Sequence, residues 1–324
     1  MHMPDGYMNL ATAMGGAAVA AGGIWASLKE TGKRLAERQI PMAGLTAAFI
    51  FAVQMLNFPL GAGTSGHLLG GALAAILLGP WLGLLVVTVV VVVQAVLFAD
   101  GGIFSLGLNV VNMALVTSLT GWFAFRALMR VLPRTTGGAI TATMIAGFLG
   151  VLAASSAFVI EYAIGGQGGA AVSTVFTAMT GVHSLIGIGE GLITSVAIGA
   201  VLAVRPDLVA ATSDRQLRRT VTSPGLRAVT GFVAVGLAVT LGLVIFVAPL
   251  ASDAPDGLER VAIDQGFSGA AGQSPITGPL AEYGAGGSEP GSGLGTIVAG
   301  GVGVVVVFVA GLGLVSVIRR RRTA

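Results

Sequence analysis

The sequence predicts an all-α polytopic membrane protein with about nine transmembrane helices, and three observations support this fold class. First, 54% of the 324 residues are hydrophobic and only 10% are charged, whereas about 25% of the residues in soluble domains are charged. Second, apolar stretches of about 20 residues, the length that spans a bilayer, recur along the whole chain. Third, all Lys and Arg residues except Arg260 fall in short clusters between these stretches.

These basic clusters predict the topology, because positively charged loops stay on the cytoplasmic side of a membrane. The clusters are Lys29–Arg38, Arg126–Arg134, Arg205, Arg215–Arg227 and Arg319–Arg322. The chain must cross an even number of times between the first two. The apolar stretch 68–98 would be about 46 Å long as a single helix, which exceeds the ~30 Å hydrocarbon core. Because it contains the helix-breaking pair Gly79-Pro80, we predict two short helices with an inner turn there.

The count gives a seven-helix module and a two-helix hairpin, with the N-terminus outside and the C-terminus inside. The predicted helices are 7–26, 41–57, the two halves of 68–98, 103–125, 139–163, 181–204, 229–250 and 294–317. Residues 1–205 form the first module, 206–228 a cytoplasmic linker, and 229–324 the second module. Residues 1–26 lack the basic start of a signal peptide, so the N-terminus is expected to be mature as synthesised.

The outer loop 251–293 of the second module is rich in Gly, Ser and Pro, which predicts a flexible segment. It contains no His or Cys, and its acidic residues are spread through Gly-rich sequence. We therefore expect the loop to contact the outer face of the first module without holding a metal site.

His2 is the most unusual polar residue, because a histidine at position two can form a chelate with the chain terminus. The Met1 amine, the His2 backbone nitrogen and the His2 Nδ1 would share one plane in fused five- and six-membered rings. A fourth donor would complete a square, and square-planar nitrogen sites favour Ni(II) or Cu(II). His67 lies on the same predicted face and is a candidate for that donor. The donors must lose protons, so metal affinity should rise with pH.

Other polar residues near membrane depth are candidates for supporting that site. They are Gln54, Asn57, Ser65, Asp100, His183 and Glu190. Hydrogen bonds between packed helices, or a turn at Asp100, would explain these residues without a metal, and the sequence leaves the choice open. The absence of Cys excludes disulfides and thiolate ligands. The chain has no phosphate-binding G-x-x-x-x-G-K-[ST] motif, so active uptake would require a partner, and the chain is not expected to be an enzyme.

Three segments resemble the CbiM/NikM family, the substrate-capture components of energy-coupling factor transporters for cobalt and nickel. They are Met1–Gly6 (MHMPDG), Gly63–Gly71 (GTSGHLLGG) and His183–Leu192 (HSLIGIGEGL). The resemblance implies that Met1, His2 and His67 bind the metal, although Met3 stands where the family more often has Ile or Leu. The second module, with PDGLERVA at 255–262, looks like the accessory component CbiN or the PDGLE domain.

The same resemblance implies the setting in which the chain works. A transmembrane coupling component and cytoplasmic ATPase subunits would drive uptake in the cytoplasmic membrane of a prokaryote, in contact with lipid. Nickel or cobalt would be the transported substrate, with no organic cofactor. Nucleic acid is not an expected partner, because the positive charges lie in the loops predicted to be cytoplasmic, where the membrane topology already explains them.

Two other interpretations stay open at this point. Gly63-Thr64-Ser65-Gly66 fits the G-x-S-G motif of rhomboid intramembrane proteases, with His183 as a possible base for Ser65. A structural or assembly protein without a site would bind no metal. The sequence does not choose between nickel and cobalt, although a square-planar site favours nickel.

Overall fold

The structure is a computed structural model that describes residues 1–212, 226–276, 278–281 and 293–323, and helices dominate it. The helices are α1 (Leu10–Arg34), α2 (Gln39–Gln54), α3 (Gly71–Leu78), α4 (Pro80–Leu97), α5 (Leu106–Asn109), α6 (Thr117–Val131), α7 (Thr136–Gly165), α8 (Val172–Val204), α9 (Leu226–Gly242), α10 (Gly257–Asp264) and α11 (Gly293–Thr323). A π-helical segment, Val110–Val116, joins α5 to α6. Two short strands, β1 (Phe58–Gly61) and β2 (Thr64–Gly66), form an antiparallel hairpin between α2 and α3.

Within the described residues, seven helical segments are long and apolar enough to cross a membrane. They are Leu10–Lys33, Pro80–Leu97, Leu106–Val131, Thr136–Gly165, Val172–Val204, Ala228–Leu250 and Gly293–Arg320. The other two predicted crossings correspond to α2, with 16 residues, and α3, with eight. The chain is therefore a multi-pass helical membrane protein, while nine crossings and their orientation stay predictions.

The predicted break in the long apolar stretch is confirmed. Helix α3 ends at Leu78, and Pro80 begins α4, where its missing N–H costs no helical hydrogen bond. Gly79 between them has φ +92°, a conformation that favours glycine. Gln39 Nε2 donates to the Leu78 carbonyl over 3.1 Å, so this turn lies beside the start of α2.

Several predicted boundaries are wrong. Helix α1 does not end at residue 26 but continues through the first basic cluster to Arg34, because Lys and Arg are good helix formers. Helix α8 begins at Val172 and not at residue 181. The loop 251–293 is not irregular throughout, because it contains helix α10.

Arg205, the last residue of the first module, bonds to both ends of the predicted linker. Its Nε donates to Asp207 over 2.8 Å, and its Nη1 donates over 3.1 Å to the carbonyl of Ala228, in α9. Residues 206–212 form two short 3-10 turns. Most of the linker, residues 213–225, lies outside the described part of the chain.

The second module packs closely on the first. Helix α11 lies against α2, where a Cβ on Gly44 would come within 2.9 Å of the carbonyl oxygen of Phe308. At the end of the bundle that holds Met1, which we call the site end, α10 joins a separate apolar core. This core contains Met1, Met3, Tyr7, Phe158, Tyr162, Met179, Leu258, Val261 and Phe267. The second module therefore forms part of the walls around the N-terminal segment.

Candidate metal centre

Most of the N-terminal segment, residues 1–8, is buried, and it packs against α5 and the chain that precedes this helix. Met3 donates its N–H to Asn109 Oδ1 over 2.8 Å, and Asn109 Nδ2 donates back to the Met3 carbonyl over 3.0 Å. The Asp5 carboxylate accepts the N–H of Ser105 over 2.9 Å. These bonds satisfy backbone groups that burial would otherwise leave unpaired. They hold the chain terminus at one place inside the bundle.

The Met1 amine and the His67 imidazole meet at that place. Met1 is 4% exposed, and its nitrogen lies 2.8 Å from His67 Nε2. His67 Nδ1 donates to the Leu68 carbonyl over 2.9 Å, which leaves Nε2 with its lone pair toward Met1. Burial and the nearby ammonium group of the chain terminus lower the pKa of His67. A neutral imidazole is the form that binds a metal.

The 2.8 Å separation suits two neighbouring ligands of one metal. With metal–nitrogen bonds of about 2.0 Å, adjacent corners of a square-planar site lie about 2.8 Å apart. The described residues include no group of three or more His, Asp or Glu side chains that could hold a metal ion.

His2 is next to His67 but does not point its Nδ1 at the Met1 amine. The two imidazole centroids are 5.2 Å apart, and His2 Nδ1 lies 2.5 Å from Asp100 Oδ1. Although partial burial opposes it, the His2 imidazole lowers the pKa of the Asp100 carboxyl. His2 Nε2 is buried without a partner among the described residues. Forming the predicted chelate requires the His2 ring to turn away from Asp100.

Two predicted supporting residues hold the loop that carries His67. Gln54 Nε2 donates to the Leu69 carbonyl over 2.9 Å. Glu190 accepts the N–H of Leu69 over 2.6 Å and that of Gly70 over 3.0 Å. All these groups are buried, so α2 and α8 together satisfy a loop that would otherwise expose backbone polar groups to an apolar interior.

Asp256 was not among the predicted site residues, and the structure places it beside the candidate ligands, in the loop that was predicted to contact the first module. The Asp256 Oδ2 forms an ion pair with the Met1 amine and lies 3.5 Å from His67 Nε2. Its Oδ1 caps α10 by accepting the N–H of Glu259 over 2.8 Å. Although burial opposes it, the ammonium group and His67 hold the pKa of Asp256 well below its usual range.

Ser65 and Gly257 fix the position of Asp256. Ser65 donates its N–H to the Pro255 carbonyl over 2.9 Å and its hydroxyl to the Ala254 carbonyl over 2.7 Å. Gly257 packs so closely on α8 that an added Cβ would lie 2.5 Å from the Ile186 side chain. Ser65 therefore binds the second module and not the candidate ligands.

The two remaining supporting candidates have different environments. His183 Nδ1 donates to the Met179 carbonyl over 2.9 Å, and its ring edge lies near Gly257. Asn57 accepts the N–H of Ser252 through its main-chain carbonyl over 2.8 Å. Ser65 and His183 bond to different backbone carbonyls, so the geometry gives no support to a serine protease pair.

A cavity of about 670 Å³ lies above these residues, between the two modules. Its lining includes His2, His67, Gln54, Asn57, Asp100, Asp253, Asp256 and Glu259. The four carboxylates give the cavity a negative lining, which attracts cations.

Comparison with known proteins identifies the family of the chain. Residues 2–208 match the family model described as the cobalt uptake substrate-specific transmembrane region, CbiM. The chain belongs to the CbiM family. Residues 230–320 match the PDGLE domain. The CbiM and PDGLE resemblances of the sequence are thereby confirmed.

The similar proteins cover either the whole chain or its first part. A putative fused nickel transport protein NikMN of Archaeoglobus fulgidus is 35% identical over all of both chains. A cobalt transport protein CbiM of Sorangium cellulosum is 34% identical over 52% of this chain and 76% of its own. A crystal structure of a truncated transition metal transporter superimposes with a TM-score of 0.56 and 29% identity, covering 63% of this chain and 99% of that one.

Proposed function

We propose that this chain captures Ni(II) or Co(II) at its N-terminus and is the substrate-specific component of an energy-coupling factor transporter. The observation that carries the proposal is the Met1 nitrogen 2.8 Å from His67 Nε2, inside a buried pocket. The homologous nickel and cobalt transport proteins support a metal as the substrate.

The proposed ligands are four nitrogens from three residues. They are the Met1 amine, the backbone nitrogen and Nδ1 of His2, and Nε2 of His67. When the His2 ring turns, its Nδ1 can lie in the same plane as the Met1 nitrogen and His67 Nε2. Such a plane suits Ni(II), while the homologues include both nickel and cobalt transport proteins.

The supporting residues act on the ligands through hydrogen bonds. Gln54 and Glu190 hold the His67 loop. Asp100 pairs with His2 Nδ1 in the metal-free protein and would release it when the chelate forms. Asn57 lines the cavity. The other two supporting candidates, Ser65 and His183, position the second module rather than the metal.

Transport would need other subunits. The sequence has no phosphate-binding loop, so a transmembrane coupling component and cytoplasmic ATPase subunits would supply the driving force. The positive-inside rule places the site end outside, in the cytoplasmic membrane of a prokaryote. We propose residues 1–205 as the metal-binding module and 229–324 as a fused accessory module, with nine crossings in total.

The test is metal binding by a His67→Ala variant of the full chain. Nickel and cobalt content per chain should fall to near zero, because the only side-chain partner of the Met1 amine within the first module is removed. His183→Ala is the matched control, since it also deletes a buried imidazole and should keep normal stoichiometry. If the His67→Ala protein elutes like the wild type in size-exclusion chromatography and still binds a normal amount of metal, His67 is excluded from the site.

A further inference from the structure

Among the described residues of the second module, Asp256 forms polar contacts with the proposed metal ligands Met1 and His67, and several contacts fix its position. Its Oδ2 faces the site while its Oδ1 caps α10. Ser65 on β2 and the close approach of Gly257 to α8 hold the segment on either side. The carboxylate thus lies at the start of helix α10, within a segment whose composition predicts a flexible loop.

The Oδ2 atom lies within reach of a metal bound to the two nitrogens. It contacts the Met1 nitrogen and is 3.5 Å from His67 Nε2. A metal about 2.0 Å from both nitrogens can be placed at bonding distance from Oδ2 without moving any helix. The lone pairs that bind the ammonium group in this structure are the ones a metal would use.

Resting on the proposed function, we infer that Asp256 is a further ligand of the captured metal and sets its metal preference. Its carboxylate oxygen binds outside the plane of the four nitrogens. When the metal enters, Oδ2 exchanges its bond to the Met1 ammonium, which loses a proton to water, for a bond to the metal.

A fifth donor changes which metal the site prefers. Four nitrogens in a plane satisfy Ni(II), while an oxygen outside the plane favours ions that take more than four ligands. Co(II) more often takes such geometries. The second module therefore shifts the site from nickel toward cobalt, and its Asp256 is a specificity-determining residue.

The experiment compares Asp256→Asn with the wild type in the full-length protein, using nickel and cobalt separately. Asn is as good a helix cap as Asp, so α10 should still begin at the same place. Loss of the ion pair with Met1 changes the free energy of the metal-free protein, so it alters the nickel and cobalt affinities by the same factor. The ratio of cobalt to nickel affinity isolates the ligand role, and we expect it to fall at least about tenfold, the lower end of what supporting groups contribute.

Visible absorption of the cobalt-loaded protein gives a second readout, because it reports the number of donors. The spectrum should change in Asp256→Asn and persist in Asp256→Glu, which keeps the charge and the oxygen donor. Asp253→Asn is the matched control, since Asp253 lines the same cavity without a bond to Met1 or His67 in the described part of the chain. This variant should keep both the ratio and the spectrum.

Each outcome decides the inference. Equal changes for both metals with an unchanged spectrum would make Asp256 a counter-ion only and overturn the ligand role. Unchanged binding would overturn it as well. If the wild type binds neither metal, the proposed function fails too, whereas normal wild-type binding with an unchanged ratio removes the inference alone.

Discussion

Adding one residue before Met1 should abolish metal binding although every side chain is kept. The addition turns the Met1 amine into an amide and moves His2 to position three, so the chelate ring sizes change. Three of the four proposed nitrogens belong to these two residues. We expect a loss of at least about 1,000-fold in affinity, or about 4 kcal/mol at 1.4 kcal/mol per tenfold.

The extension should also weaken the empty protein. Met1 is 4% exposed, and its ammonium group pairs with Asp256. An amide carries no charge, so the Asp256 carboxylate loses its partner in a mostly buried position. Removing one member of a buried ion pair costs on the order of 3 kcal/mol. The thermal midpoint of the metal-free extended protein should therefore fall as well.

The assay measures nickel per chain in one preparation before and after a cleavable leader is removed. Intact mass verifies that the cleaved protein begins with Met1 and His2. Binding should be absent before cleavage and restored after it, and a tag after Ala324 should leave binding normal. Equal nickel content in the extended and cleaved proteins would refute the N-terminal chelate and point to His67, His183 and the carboxylates instead.

Three further predictions concern the supporting residues, protons and partners. In Glu190→Gln, the new amide can turn its own N–H groups toward the Leu69 N–H, so nickel affinity should fall about 10–100-fold. Thr194→Val, one turn further along α8, is the control. Equal nickel affinities of Glu190→Gln and the wild type would exclude a positioning role for Glu190. Nickel affinity should rise with pH, because the Met1 amine and the His2 backbone nitrogen release protons when the metal binds. His67, whose pKa is lowered, is already neutral. A nickel affinity that calorimetry finds to be independent of pH would contradict this prediction. Liposomes with this chain alone should show no ATP-dependent nickel uptake, and uptake without added subunits would remove the need for partners.

The sequence predicted those features that local rules control. The helix break at Gly79-Pro80 was predicted from this helix-breaking pair and from the length of the apolar stretch, and it is confirmed. His67 and Met1 are 66 positions apart, and their proximity followed from the topology and the family resemblance. The residues around them, Gln54 and Glu190, were named as candidates, but their hydrogen-bond partners needed the three-dimensional packing.

The sequence could not place the groups whose partners are far away in the chain. Asp256 is 255 positions from Met1, and a single carboxylate in a Gly-rich segment carries no local sign of its partner. Asn109, which pairs with the backbone of Met3, was not named as a candidate either. A local signal for α10 was nevertheless present, because Asp256 followed three residues later by Glu259 fits the capping pattern that begins a helix.

The ion pair between Met1 and Asp256 cannot form until residue 256 has been synthesised. Ribosomes add about 5–20 residues per second, so about 13 to 50 s separate the emergence of the first residue from that of its partner. During this interval the amine is accessible to enzymes that trim or modify new chains. Once α10 docks, Met1 is 4% exposed and such enzymes no longer reach it. The ammonium group that pairs with Asp256 must therefore escape these enzymes until α10 has docked.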